Sequence, residues 1–389
     1  MIDYENTVSR TVRDIKPSGI RKFFDIAAEM DDVISLSIGE PDFDTPWHIR
    51  EAGIMSLEQG KTHYTSNAGL AELREEISSY LARRFKLSYA PGEIVVTVGG
   101  SEGIDVALRT LINPGDEVLV PEPAFVCYDP LTRLAGGVPK PIVTKAEDEF
   151  RLTAEALRAA ITPKTKVLVL PYPNNPTGAI MTKEDLEQIA AVLRETDIYV
   201  LSDEIYAELT YGKSRHVSIA TIEGMAERTV LVSGFSKAFA MTGWRLGYIA
   251  APKPLVKLML KVHQYGIMSS PSTAQYAAVE AMRNGEEDIR AMRREYNERR
   301  KLILNGLREL GFPCFEPLGA FYIFPSVSHL GMSSEEFCQK LIQEQRVAIV
   351  PGGAFGESGE GHVRISYAYS REHLKEALKR LKRFVEEHS

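Results

Sequence analysis

The sequence predicts an α/β protein: a large domain on a mostly parallel central sheet with helices on both faces, plus a smaller α/β domain. Three observations carry that expectation. From Glu93 the chain reads EIVVTVGGSEGIDVALRTLINPGDEVLVPEP, a β-branched run, a glycine turn, a helical period, a Pro-Gly-Asp turn and a second apolar run. That is the grammar of a strand–helix–strand unit. The later runs TKVLVLPYP, IYVLSDEIY, RTVLVSGFS and RLGYIAAP lack strict alternation, as strands buried on both faces of a covered parallel sheet do. Beyond Asn284 the rhythm changes to amphipathic helices mixed with short apolar stretches.

Taken in order, TKEDLEQIAAVLRET has the helical period of a crossover between the third and fourth apolar runs. EEDIRAMRREYNERRKLILNGLREL is a helix with a wet face, stopped at Gly311-Phe312-Pro313. GAFYIFP, VAIVPG and HVRISYA read as short strands, SSEEFCQKLIQEQ as a helix between the first two, and REHLKEALKRLKRFVEEH as the terminal helix. At 389 residues the chain is long enough for two domains. We expect a large ligand-binding domain over 48–284, a small C-terminal domain over 285–389, and an N-terminal segment, 1–47, that joins the small one.

The formal net charge is −7, with acids and bases interspersed and no polybasic block, which argues against a nucleic-acid or membrane-surface partner and for small solutes. Cys127, Cys314 and Cys338 are far apart and match no metal spacing, so reduced thiols and no metal are expected. MIDYENTVSRTVRDIKPSG has no apolar leader core, and no run is long enough to span a bilayer. A cytoplasmic protein is expected.

The stretch SGFSKAFAMTGWRLG places Lys237 just after the apolar run TVLV, at the carboxyl end of an expected central strand, where open parallel sheets hold ligands. A lysine amine attacks carbonyls when unprotonated and holds aldehyde cofactors such as pyridoxal phosphate; the alternative is a solvated surface lysine. Ser236 and Arg245 flank it, a hydroxyl and a guanidinium suited to a phosphate, or in the case of Arg245 to a structural ion pair. The turn GGSEG, Gly99 to Gly103, offers amides at a helix start for an anion, though glycine there also serves geometry alone. YPNNPTG is either a turn or a device that fixes Asn175 between prolines, with Asn175-Pro176 a candidate cis bond. In SDEIY, Asp203 ends a buried run and needs a partner, either a protonated pyridine nitrogen or an internal cap or cation. Tyr206 follows it, and could be a core tyrosine. Arg364 in HVRISYA sits in an apolar strand where an anion such as an α-carboxylate would satisfy its fork.

In this order, SIGEPDF, GGSEG, YPNNPTG, SDEIY, SGFSKAFAMTGWRLG and VRISYA resemble the class I/II aminotransferases of pyridoxal-phosphate fold type I, and the resemblance runs from GIRKFFDIA to the C-terminal helix. It implies that Lys237 holds the cofactor covalently and then moves the proton at the substrate Cα, while Asp203 binds the pyridine nitrogen. Asn175 and Tyr206 would hold the phenolic oxygen and Phe125 would stack on the ring. Ser236, Arg245 and the amides of Gly100, Ser101 and Glu102 would hold the phosphate, with Tyr64 of a second subunit, so a homodimer with shared sites is implied. Arg364 would bind the substrate α-carboxylate, with Asn175 and Gly39 beside it and the SIGEPDF segment closing over the site.

Two departures stand out: Gly234, where some relatives have a serine, and Phe125 in place of a tryptophan or tyrosine. The implied activity is ping-pong amino transfer from an aromatic, aspartate or related L-amino acid to a 2-oxo acid, with 2-oxoglutarate as acceptor. N-acetyl-L,L-diaminopimelate transamination in lysine biosynthesis and a C–S β-lyase are the alternatives. A non-catalytic effector domain is more remote, since the chain has no basic recognition helix.

Overall fold

Seven of the chain's apolar runs between residues 94 and 250 become one sheet in the computed structural model, which describes residues 2–17, 19, 20 and 30–388. Residues 21–29, most of the GIRKFFDIA stretch, lie outside the described residues. Numbered along the chain, the strands are β1 (Ile34–Ser35), β2 (Ile94–Thr97), β3 (Glu117–Glu122), β4 (Val138–Val143), β5 (Thr165–Leu170) and β6 (Tyr199–Asp203). They continue with β7 (Thr229–Gly234), β8 (Gly247–Ala250), β9 (Tyr322–Ile323), β10 (Val347–Ala348), β11 (Val350–Pro351) and β12 (Val363–Ser366).

The large sheet has the order β2-β8-β7-β6-β5-β3-β4. Its pairings are parallel except those of β8, which runs antiparallel to both β2 and β7. Successive residues feed opposite cores: Ile94 and Val96 of β2 and Leu231 of β7 pack in one apolar cluster, Val95, Val230 and Val232 in another. Both faces of the inner strands β5, β6, β7 and β8, and of β2, are therefore buried, and both of their registers must be apolar. That is why the sequence lacks alternation.

β4 was not among the expected strands. Its prolines, Pro139 and Pro141, sit opposite Val118 and Val120 of β3 at the sheet edge, the position that tolerates a missing N–H. The run VAIVPG also divides. β10 pairs in parallel with β1, Ile34 opposite Val347, whereas β11 pairs with β12, which in turn pairs with β9. Residues 34–35 thus lie against the C-terminal third of the chain, and Val350 is placed opposite Arg364.

The helix expected after β2 is Gly99–Leu111, burying Ile104, Ala107, Leu108 and Leu111 at three- and four-residue spacing. The long helix Glu286–Glu309 stops before Gly311, whose φ of +83° ends it as glycine allows. The terminal helix Arg371–His388 buries Leu374, Ala377, Leu381 and Phe384. Among the described residues no helix is long and apolar enough to cross a membrane.

Candidate active site

The parallel pairing of β5, β6 and β7 brings their carboxyl ends together, with Leu170 opposite Ser202 and Asp203 opposite Val232. A cavity of about 320 Å³ opens there. Gly39, Gly100, Ser101, Phe125, Asn175, Asp203, Tyr206, Ser236, Lys237, Arg245 and Arg364 all line it.

Lys237 follows β7, and its Nζ donates to the Gly39 carbonyl at 2.7 Å. Burial lowers its pKa to about 8; Arg364 and Arg245 push the same way, against the opposing carboxylates of Glu40 and Asp203. At neutral pH roughly a tenth of such a group is the free amine, against a few parts in ten thousand for an ordinary lysine. Capture of an aldehyde by this amine is therefore expected to accelerate with pH and level off above about pH 8. Stopped-flow binding of pyridoxal phosphate to apoprotein checks this; a rate still climbing tenfold per pH unit above 9 would contradict it.

Asp203 closes β6. Its Oδ2 accepts from the Tyr128 hydroxyl at 2.7 Å and its Oδ1 from the Ile205 amide at 3.1 Å. Burial raises its pKa, and these two donors pull it back down. It makes no ion pair among the described residues, so the internal salt bridge considered above is not formed. Beside it the Tyr206 hydroxyl meets that of Tyr322 at 2.8 Å, and burial lifts the Tyr206 pKa well above its ordinary value.

At the opposite wall the helix Gly99–Leu111 begins. Gly99 has φ of +79°, and a Cβ on it would lie 2.8 Å from Arg245 Nη2, so glycine lets the guanidinium press on the turn. Arg245 donates to the Thr242 carbonyl at 2.9 Å and pairs with no carboxylate among the described residues. Gly234 points elsewhere: a Cβ there would meet Gly247 Cα at 2.9 Å and the Leu246 carbonyl at 3.0 Å. A serine would have no room to face the cavity.

Arg364 comes from β12 and is 2% exposed. Its Nη1 donates to Asn175 Oδ1 at 3.0 Å and its Nη2 to the Ser37 carbonyl, while its buried Nε has no partner in the protein. The guanidinium lies between two rings, 4.6 Å from the centre of Tyr322 and 4.9 Å from that of Phe355. The Asn175-Pro176 bond is cis, as are Tyr172-Pro173 and Glu122-Pro123. Gly39 covers the pair, since a Cβ on it would stand 2.5 Å from the Tyr322 hydroxyl and 3.7 Å from Arg364 Nη1.

The family described as aminotransferase class I and II matches residues 31–381. The chain belongs to this family. A putative aminotransferase of Bacillus subtilis is 56% identical over 97% of the chain and 98% of its own length. An aspartate aminotransferase of Pyrococcus abyssi is 48% identical over 96% and 97%. The solved structure of an aromatic aminotransferase from Pyrococcus horikoshii superposes with a TM-score of 0.90, at 46% identity, covering 95% of this chain and 99% of that one.

The aminotransferase depends on pyridoxal 5′-phosphate, and the cavity fits that group. A partly neutral lysine faces its aldehyde chemistry, a buried carboxylate without a cation suits a protonated ring nitrogen, and an unpaired guanidinium beside a helix start suits the phosphate. Phe125 lines the cavity with its ring edge-on to Tyr128, centres 6.3 Å apart. Glu102 contributes no side chain, its carboxylate turning away to the Val98 amide and His263. Tyr64 is 86% exposed and does not line the cavity of its own chain. The sequence reading missed Tyr128, Tyr322 and the Ser37 carbonyl. Tyr322 hid inside GAFYIFP, where it reads as a core residue of a strand; nothing local marks Tyr128 as the partner of Asp203.

Proposed function

We propose that Lys237, Asp203 and Arg364 carry transamination between an aromatic, aspartate or related L-amino acid and 2-oxoglutarate. The observation that bears most weight is their convergence from β7, β6 and β12 on one cavity. When bound, the cofactor supplies the electron sink that loosens the substrate Cα proton, and it stores the amino group between half-reactions. Lys237 would be the covalent anchor, and its amine, once free, would serve as the acid and base that moves the proton at the substrate Cα. The Gly39 carbonyl aims Nζ, and burial keeps it able to shed a proton near neutral pH.

Asp203 holds the ring nitrogen protonated, and the Tyr128 hydroxyl orients its carboxylate. Asn175 and Tyr206 hold the phenolic oxygen, and Phe125 packs on the ring face. Ser236, Arg245 and the amides of Gly100, Ser101 and Glu102 bind the phosphate. Arg364 exchanges its internal acceptors for the substrate α-carboxylate, with Asn175 and Gly39 beside it. Asp203→Ala is expected to lower kcat by about 10²–10³-fold, the scale of losing one preorganised electrostatic partner, while the protein still binds cofactor. Steady-state kinetics with one donor checks it, and an unchanged kcat removes Asp203 from this role.

We also infer a homodimer. Ile54, Met55 and Leu57 of the helix Trp47–Glu58, together with Tyr64, Tyr265, Ile267 and Met268, are exposed apolar side chains, and such surface calls for cover. Asn67 ties the Tyr64 loop to Met268 through a 2.8 Å bond to its carbonyl. A second copy would cover this face, with Tyr64 reaching the neighbouring phosphate. Sedimentation equilibrium is expected to give twice the chain mass; a monomer at micromolar concentration would sink this assembly. The division at 48–284 and 285–389 is supported by the large sheet lying within the first range and the β9, β11, β12 sheet within the second. The free cysteines support a reducing, cytoplasmic setting.

The substrate class is tested by comparing kcat/KM for aspartate, phenylalanine, tyrosine and N-acetyl-L,L-diaminopimelate with 2-oxoglutarate as acceptor. Turnover of aspartate or an aromatic donor supports the reading. Exclusive use of the acetylated donor, or release of pyruvate and ammonia from a cysteine conjugate without amino transfer, overturns it.

A further inference from the structure

Behind the phosphate end of the cavity lies a part-buried side-chain pair that none of the roles above uses. Glu102 sits in the first turn of the helix Gly99–Leu111, two residues after Gly100, and its Oε2 accepts from the Val98 amide. Its Oε1 lies 2.6 Å from Nδ1 of His263, which comes from the helix Lys253–Gly266. The His263 side chain is fully buried and its Nε2 has no partner in the protein. A carboxylate in this turn is well placed for the helix dipole, and for that reason it competes with any phosphate using the same amides. It is harmless only if it is kept away from the cavity.

We propose that His263 is a positioning residue for cofactor binding: its Nδ1–H holds the Glu102 carboxylate against Val98, away from the phosphate, and fixes the turn that carries the Gly100 and Ser101 amides. The inference rests on the reading that these amides bind the phosphate. With Nδ1 donating, Nε2 is the bare nitrogen, so no buried N–H is left without an acceptor. Loss of the histidine removes the donor to Oε1 and leaves the carboxylate only the Val98 amide, which frees the side chain to turn toward water and Arg245. There it would contend with the phosphate for the same guanidinium.

The test is the equilibrium dissociation constant of pyridoxal phosphate for apoprotein, followed by protein fluorescence, with the thermal midpoint of each apoprotein as a control. His263→Leu is expected to bind the cofactor at least about tenfold more weakly. The double variant His263→Leu/Glu102→Gln, which removes the contending charge, is expected to recover most of that loss. A merely structural role would lower the thermal midpoint of both variants alike and would not be relieved by Glu102→Gln.

Should the leucine variant fail to fold, His263→Asn and His263→Gln decide. Asparagine places a donor near the Nδ1 position and should bind within about threefold of the parent, whereas glutamine reaches toward Nε2 and should bind weakly. Equal affinities for these two, an unaffected His263→Leu, or a double variant no better than the single one would each overturn the proposal. Failure of the phosphate reading itself would look different, because Arg245→Ala would then bind cofactor as tightly as the parent.

Discussion

Lys237→Ala is expected to lower kcat by at least about 10⁴-fold with every donor, since one side chain supplies both the covalent anchor and the acid–base step at Cα. The loss should appear in a single turnover as well as in steady state, because it lies in chemistry and not in product release. Added methylamine or ethylamine should restore part of the rate, a small free amine standing in for Nζ. Arginine at this position should not help: it remains protonated at every accessible pH, and so lacks the neutral form that burial grants Lys237 at about pH 8. A Lys237→Ala protein that transaminates at the parent rate would remove this lysine from the mechanism.

Arg364→Lys is expected to cut kcat/KM by roughly 10²–10³-fold for all donors alike, the order of losing a buried, hydrogen-bonded charge partner. The reason lies in geometry. The guanidinium is confined between Tyr322 and Phe355, so only its edges can bond, and those edges already meet Asn175 and the Ser37 carbonyl. A lysine ammonium has no planar fork to lie between the rings or to meet two carboxylate oxygens. Cofactor affinity should stay near that of the parent. A loss confined to aspartate, with aromatic donors spared, would mean that Arg364 reads a side chain and not the common α-carboxylate.

Much of this site was legible because its parts sit where strands end. Lys237 and Asp203 each follow or close an apolar run, and a charged residue at the end of a buried strand must meet a ligand or a partner. Arg364 was conspicuous for the same reason, as a lone guanidinium in HVRISYA. What stayed hidden depends on pairing across the chain. Tyr128 reaches Asp203 over 75 residues, and Tyr322 meets Tyr206 over 116; a tyrosine in an apolar run looks the same whether its hydroxyl orients an aspartate or fills a core. β4 was obscured by Pro139 and Pro141, which are strand breakers except at an edge, and the edge is set by sheet order. VAIVPG reads as one run, yet pairing with β1 on one side and β12 on the other divides it at Ile349. Of the three cis bonds, Asn175-Pro176 is a candidate in the sequence, while Tyr172-Pro173 and Glu122-Pro123 carry no mark there.

The most direct test of the constellation is a stoichiometric half-reaction on cofactor-loaded enzyme without acceptor, using aspartate and then an aromatic amino acid while the visible absorption band is recorded. The expected result is bleaching of the band with one 2-oxo acid released per site, return of the band on adding 2-oxoglutarate, and neither change in Lys237→Ala. A band that no donor bleaches, or bleaching accompanied by free ammonia instead of a retained amino group, would contradict the account.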